Sequence, residues 1–189
     1  MQQSNAIVTG SLSDVAKRED VSLAESFLSC DAIILCDVSG SMGAYDSRGG
    51  KTRYEVALEE LAALQAHMPG KLAIIAFSDN TLFVPGGVPP MLGMGTNLAG
   101  ALRFAKVADV PGMRFVVISD GQPDDASGAL AEAAKYKAHI STVYVGPEDD
   151  HDSGRAFLQQ LATASGGQSV TADRAKELAS KTAALLLRA

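Results

Sequence analysis

Four stretches of the chain are apolar almost without a break: AIILCDV (32–38), KLAIIAFS (71–78), RFVVIS (114–119) and ISTVYVG (140–146). Runs of this length, rich in β-branched residues and without polar alternation, are how strands covered on both faces read. A shorter TLFV (81–84) follows the second run after only Asp79 and Asn80. So short a link closes an antiparallel hairpin and leaves no room for a crossover. QSVTA (168–172) predicts a weak sixth strand.

Helical spacing fills the intervals. Thr52 and Glu55 form a capping box, after which Ala57, Leu61, Leu64 and Met68 recur on one face until Pro69-Gly70 ends the helix. Leu98, Ala101, Leu102 and Ala105 make a second stripe, and residues 124–137 predict a helix starting just after Pro123. Phe157, Leu158 and Leu161 lie on a further helix ending at Gly166-Gly167, and Asp173 is placed to cap a last one carrying Leu178 and Leu185. Alternating strands and helices define an α/β chain. The expected fold is an open, doubly wound, mostly parallel six-stranded sheet with one antiparallel strand and helices on both faces. Residues 31–189 are expected to form this domain and residues 1–30 an N-terminal extension. Within the extension, Ser22 and Glu25 form another capping box before Phe27 and Leu28, which predicts a short helix. Packing against the domain and binding a partner are the two roles open to it.

Composition narrows the function. A chain of 189 residues buries a sufficient core without disulfides or a structural metal. Cys30 and Cys36 stand six residues apart along one extended segment, too far to bridge, and read as reduced thiols. With no charged n-region and apolar h-region visible near the N-terminus, the cytoplasm is the compartment expected. No run approaches the ~18 apolar residues of a membrane span. A net charge of −6, 5% aromatic residues and no Trp argue against nucleic acid, which needs a basic footprint and stacking platforms. The acidity favours cations.

In open α/β sheets, ligands bind beyond the carboxyl ends of the strands. Asp37, Ser39 and Ser41 follow the first strand, Asp120 follows RFVVIS, and Thr96, in GMGTNLAGAL, stands at the entrance to the second amphipathic helix. Each piece alone is what a turn would show. Together they offer two carboxylates and three hydroxyls with no His or Cys, an all-oxygen set suited to a hard divalent cation such as Mg²⁺ or Mn²⁺. Gly40 and Gly43 would let the backbone approach the ion.

D-x-S-x-S at Asp37, Ser39 and Ser41, with distal Thr96 and the Asp120-Gly121 pair, resembles the metal-ion-dependent adhesion site (MIDAS) of von Willebrand factor type A (VWA) domains. The resemblance covers about residues 30–189. It implies a Rossmann-like sheet with the hairpin strand antiparallel at one edge. It further implies Mg²⁺, with Mn²⁺ or Ca²⁺ as alternatives, held directly by Ser39, Ser41 and Thr96 and directly or through water by Asp37 and Asp120. The remaining position is one that a protein partner fills with an Asp or Glu side chain. The resemblance thus implies a protein-binding module, not an enzyme, and stand-alone intracellular members of the family work beside ring-forming ATPases.

The competing readings are weaker. Haloacid-dehalogenase-type phosphotransferases also use Mg²⁺ and an Asp after the first strand, but need a second Asp where this chain has Ser39. Neither Ser39 nor Ser41 has a general base visible in sequence. YDSRGGKT (45–52) has Tyr45 where a phosphate-binding loop needs its first Gly. It reads instead as a flexible loop, with Lys51 and Arg53 lining the metal face and available to an acidic partner. EDDHD (148–152) reads as a solvated loop, and His67 and His139 as structural.

Overall fold

The computed structural model describes residues 6–147 and 153–171. Six strands form one sheet: β1 (Ala32–Asp37), β2 (Leu72–Phe77), β3 (Thr81–Phe83), β4 (Arg114–Ser119), β5 (Ile140–Tyr144) and β6 (Ser169–Thr171), in the order β3-β2-β1-β4-β5-β6. All neighbours are parallel except β2 and β3, so the antiparallel strand lies at an edge as expected.

The uninterrupted apolar runs follow from burial on both faces. In β1, Ile33 and Leu35 point to one core with Phe115 and Val117, while Ala32, Ile34 and Cys36 point to the other with Val116 and Ile118. The helix α3 (Arg53–His67) covers the second core through Ala57, Leu61 and Leu64. On the opposite face lie α4 (Leu98–Ala105), α5 (Ala126–Ala133) and α6 (Ser153–Ser165), contributing Leu102, Ala129 and Leu158 among others. The chain therefore leaves β1 over one face towards β2, and reaches β4, on the other side of β1, over the opposite face. That reversal makes the carboxyl ends of β1 and β4 the switch point where such sheets open a crevice.

Helix starts follow local chemistry. Both predicted capping boxes form, at Thr52–Glu55 and at Ser22–Glu25, the second opening α2 (Leu23–Leu28). Where a helix was expected from 124 to 137, α5 is shorter, because the Asp125 side chain caps it by accepting from Gly128 N at 2.8 Å, leaving Pro123 outside. One helix was not anticipated: α1 (Leu12–Glu19), capped by Ser11, has buried Leu12, Val15 and Ala16 on an otherwise charged segment. Residues of the N-terminal segment bond to the sheet domain, with Val8 N donating to Gly86 O (3.1 Å), Ser13 N to Pro85 O (2.9 Å) and Gly70 N to Gly10 O (2.9 Å). The EDDHD segment, and Asp173 with Leu178 and Leu185, lie outside the described residues.

Both cysteines are free and buried. Burial, with help from Asp31, pushes the Cys30 thiol up to about 12, and burial raises Cys36 as well, so neither carries the thiolate that reactivity needs. Among the described residues no helix is long and apolar enough to cross a membrane.

Candidate metal centre

Asp37 ends β1 with its side chain fully buried. Its Oδ1 accepts from Ser39 N (2.9 Å) and its Oδ2 from Ser119 Oγ (2.6 Å). Burial drives the carboxyl up to about 6 against the downward pull of Ser119 and Ser39, and the nearby charge of Asp120 adds to the rise. Beyond Asp37 the chain turns through a short 3-10 segment, Gly40–Gly43, which brings the Ser39 and Ser41 hydroxyls within 3.2 Å of each other.

A second loop lies against this turn. Gly93 N donates to Val38 O (3.0 Å) and Gly40 N to Met94 O (3.1 Å), which sets Thr96 two residues further along the same loop. Thr96 is buried and clamped by Asp124: Thr96 N donates to Asp124 Oδ2 (2.8 Å), and Asp124 N donates to Thr96 O (3.1 Å). Asn97 then caps α4 by accepting from Gly100 N (2.9 Å).

Asp120 follows β4 and is 1% exposed. Its neighbour Ser119 ties the two strand ends together, donating to Asp37 while accepting from Gly121 N (2.9 Å). Asp120 Oδ2 accepts from Arg53 Nη1 (2.7 Å), whereas Oδ1 is buried with no hydrogen-bond partner. A buried carboxylate oxygen that no protein donor satisfies is a position suited to a cation or its water.

All the residues singled out in sequence thus sit on one rim. Asp37, Ser39 and Ser41 are connected directly or through the turn, Asp120 through Ser119, and Thr96 through the backbone bonds between the two loops. Among the described residues there is no group of three or more His, Cys, Asp or Glu placed to hold a metal ion, so a cation bound on this rim would depend on hydroxyl oxygens as well as carboxylates. That is the donor chemistry of a hard divalent ion.

Three contributors were not foreseen in these roles. Ser119 and Asp124 orient other site residues from far along the chain. Arg53 is not displayed to a partner as expected. It is 11% exposed and turned inward, donating to Asp120 and, through Nε (2.8 Å) and Nη2 (2.5 Å), to Asp46. Lys51 pairs with Glu59 at the surface and its side chain remains exposed. Asp46 and Asp120 hold the guanidinium firmly protonated against the opposing effect of burial.

Among the described residues no histidine accompanies the serines as a general base. The position two after Asp37 is a hydroxyl, and the histidine rings bond to backbone, His67 Nδ1 to Ala63 O (2.7 Å) and His139 Nδ1 to Ser165 O (2.9 Å).

No protein-family model matches the chain, and no curated protein matches it by sequence. Solved structures do. An aerotolerance-related membrane protein from Bacteroides fragilis, in a form with multiple mutations to serine, is 18% identical with a TM-score of 0.66, over 84% of this chain and 98% of that one. A von Willebrand factor type A protein from Catenulispora acidiphila is 18% identical with a TM-score of 0.57, over 82% of this chain and 42% of that one. Manganese-loaded TRAP protein of Plasmodium vivax is 16% identical with a TM-score of 0.54, over 79% and 72%. At such identities the likeness is one of fold. The chain has a VWA-like fold.

Proposed function

We propose that the protein is a divalent-cation-dependent protein-binding module whose partner presents an Asp or Glu side chain. The observation that carries this reading is Asp120 Oδ1, a buried carboxylate oxygen without a partner, on a rim where Asp37 and paired serine hydroxyls are already oriented. Ser39, Ser41 and Thr96 would hold the ion directly, and Asp37 and Asp120 directly or through water. Mg²⁺ is the favoured ion, and the manganese-loaded TRAP neighbour supports Mn²⁺ as an alternative. When bound, the cation supplies a Lewis-acidic position that a carboxylate can complete. Ser119 keeps Asp37 turned towards the rim, and Asp124 keeps the Thr96 backbone in place. With no histidine set against either serine among the described residues, the reading is of a binding site and not of a hydrolytic one. The buried thiols suit a reducing cytoplasm. A complex with a ring-forming ATPase is the assembly this reading favours.

Thermal melting of chelator-stripped protein, titrated with Mg²⁺, Mn²⁺ and Ca²⁺ beside an Asp37→Ala variant, tests it. A ligand at about 100 times its dissociation constant adds ~2.7 kcal/mol. In a chain of this size that raises the melting temperature by about 5–10 °C. A saturable rise in the wild type alone supports the site, and no rise at millimolar cation would sink it. Partner capture in Mg²⁺ and in chelator then separates a bridging ion from one that only stabilises the fold.

A further inference from the structure

Arg53 is the first residue of α3, and its place is set before its side chain is considered. The Thr52–Glu55 capping box fixes the helix start, and Arg53 N donates to Ala44 O (3.2 Å), fastening that start to the loop that follows the site serines. From there the guanidinium faces two ways. Nη1 meets Asp120 Oδ2 on the buried side, and Nε with Nη2 forms a two-pronged contact on Asp46, whose side chain is 37% exposed. A planar fork can satisfy both carboxylates at once with little further loss of freedom; an ammonium cannot reproduce this. The result is an Asp120 whose oxygens are divided, Oδ2 to a fixed positive charge and Oδ1 to nothing.

We propose that Arg53 is the specificity-determining residue of the cation site: it occupies one oxygen of Asp120, leaves the other for the ion or its water, and exchanges cation affinity for appetite towards a carboxylate. The inference rests on the metal-bridging reading above. A guanidinium sharing Asp120 repels a divalent cation and weakens its hold. Asp46 cancels this only in part, because its charge sits at the surface where water and salt screen it. Once a cation is bound, the two site carboxylates face a divalent ion and a guanidinium together. Among the buried groups the surplus is one positive charge, which the exposed carboxylates of Asp46, Asp79 and Asp124 offset only in part through solvent, so an anionic side chain is preferred over a neutral one as the final ligand. The inward-turned arginine therefore acts on the partner through the charge of the site, without having to reach the partner itself.

The two ends of this arrangement predict opposite effects. Mn²⁺ alone is the probe, its free concentration followed by electron paramagnetic resonance, with wild type, Arg53→Met, Arg53→Lys and Asp46→Asn compared at neutral pH. A unit charge a few ångströms from a partly buried site changes a neighbouring ion's affinity by about tenfold or more. On that scale Arg53→Met should bind Mn²⁺ about tenfold or more tighter, Arg53→Lys should stay near wild type, and Asp46→Asn should bind a few-fold more weakly. Arg53→Met should also melt lower than wild type in chelator, with Asp120 left uncompensated, and regain more stability than wild type on adding Mn²⁺. A purely structural arginine would give the loss without the excess recovery. Binding to Arg53→Met that is no tighter than to folded wild type overturns the proposal. If Arg53→Met does not fold, Asp46→Asn decides: affinity equal to or above wild type overturns it. Should no variant and no wild type bind Mn²⁺ at millimolar concentration, the bridging reading falls and takes this inference with it. Wild-type binding that Arg53→Met leaves unchanged sinks the inference alone.

Discussion

Ser119 and Asp37 meet across neighbouring strands, the Ser119 hydroxyl donating to Asp37 Oδ2 at 2.6 Å with both side chains shut away from water. The residue before the second site aspartate thus orients the first. It also supplies the strongest of the bonds that pull the Asp37 carboxyl down against burial. Replacing Ser119 by Ala removes a hydrogen bond to a buried carboxylate, a loss of about 1–3 kcal/mol. Urea unfolding should show that loss in chelator, and Mn²⁺ affinity should fall several-fold because the Asp37 carboxylate is no longer held towards the rim. Unchanged Mn²⁺ affinity would mean that Asp37 is held by other means.

Gly121 has φ of +79°, and a Cβ there would lie 2.2 Å from Gly154 O, at the start of α6. The Asp120-Gly121 pair is therefore more than a turn signature, since only glycine lets this loop pass the amino end of α6. Gly121→Ala combines a disfavoured backbone conformation with a backbone clash and should cost about 3 kcal/mol or more. Equilibrium denaturation checks it. A loss under ~1 kcal/mol would show that the loop and α6 move apart readily.

Asp109 joins distant segments by accepting from Lys137 N and Ala138 N (both 2.9 Å) and pairing with Lys106. Burial works to raise its carboxyl, but Lys106 and the two backbone donors outweigh it and hold it below the ordinary carboxylate range. The sign follows: the unfolded chain takes up a proton at higher pH than the folded one, so this contribution is complete above about pH 4 and lost as pH falls below it. Asp109→Asn should therefore destabilise the protein by about 1–3 kcal/mol at neutral pH and progressively less under acid. Melting curves from pH 3 to 7 would show the two proteins converging. Parallel curves would contradict the assignment.

The sheet was legible in the sequence because each central strand is buried on both faces, which removes polar alternation and leaves runs such as AIIL and RFVVI unmistakable. Asp37, Ser39, Ser41 and Asp120 could be placed together because they follow the ends of β1 and β4 at short spacing. What sequence could not show is pairing across distance. Ser119 reaches Asp37 over 82 positions and Arg53 reaches Asp120 over 67, and neither contact leaves a local pattern. Arg53 looked like a surface cation because nothing in GGKTRYE says which way a first-turn arginine points. The α1 helix was overlooked because its apolar residues are few among charged neighbours, and α5 was started too early because Asp125, not Pro123, sets its first turn.

The antiparallel edge strand, β3, is only three residues long and half-buried. A margin so short offers few free backbone groups for another chain to zip onto. Copies of this protein therefore gain little by joining sheet to sheet along that edge, and a partner meeting it there would have to be recognised through side chains.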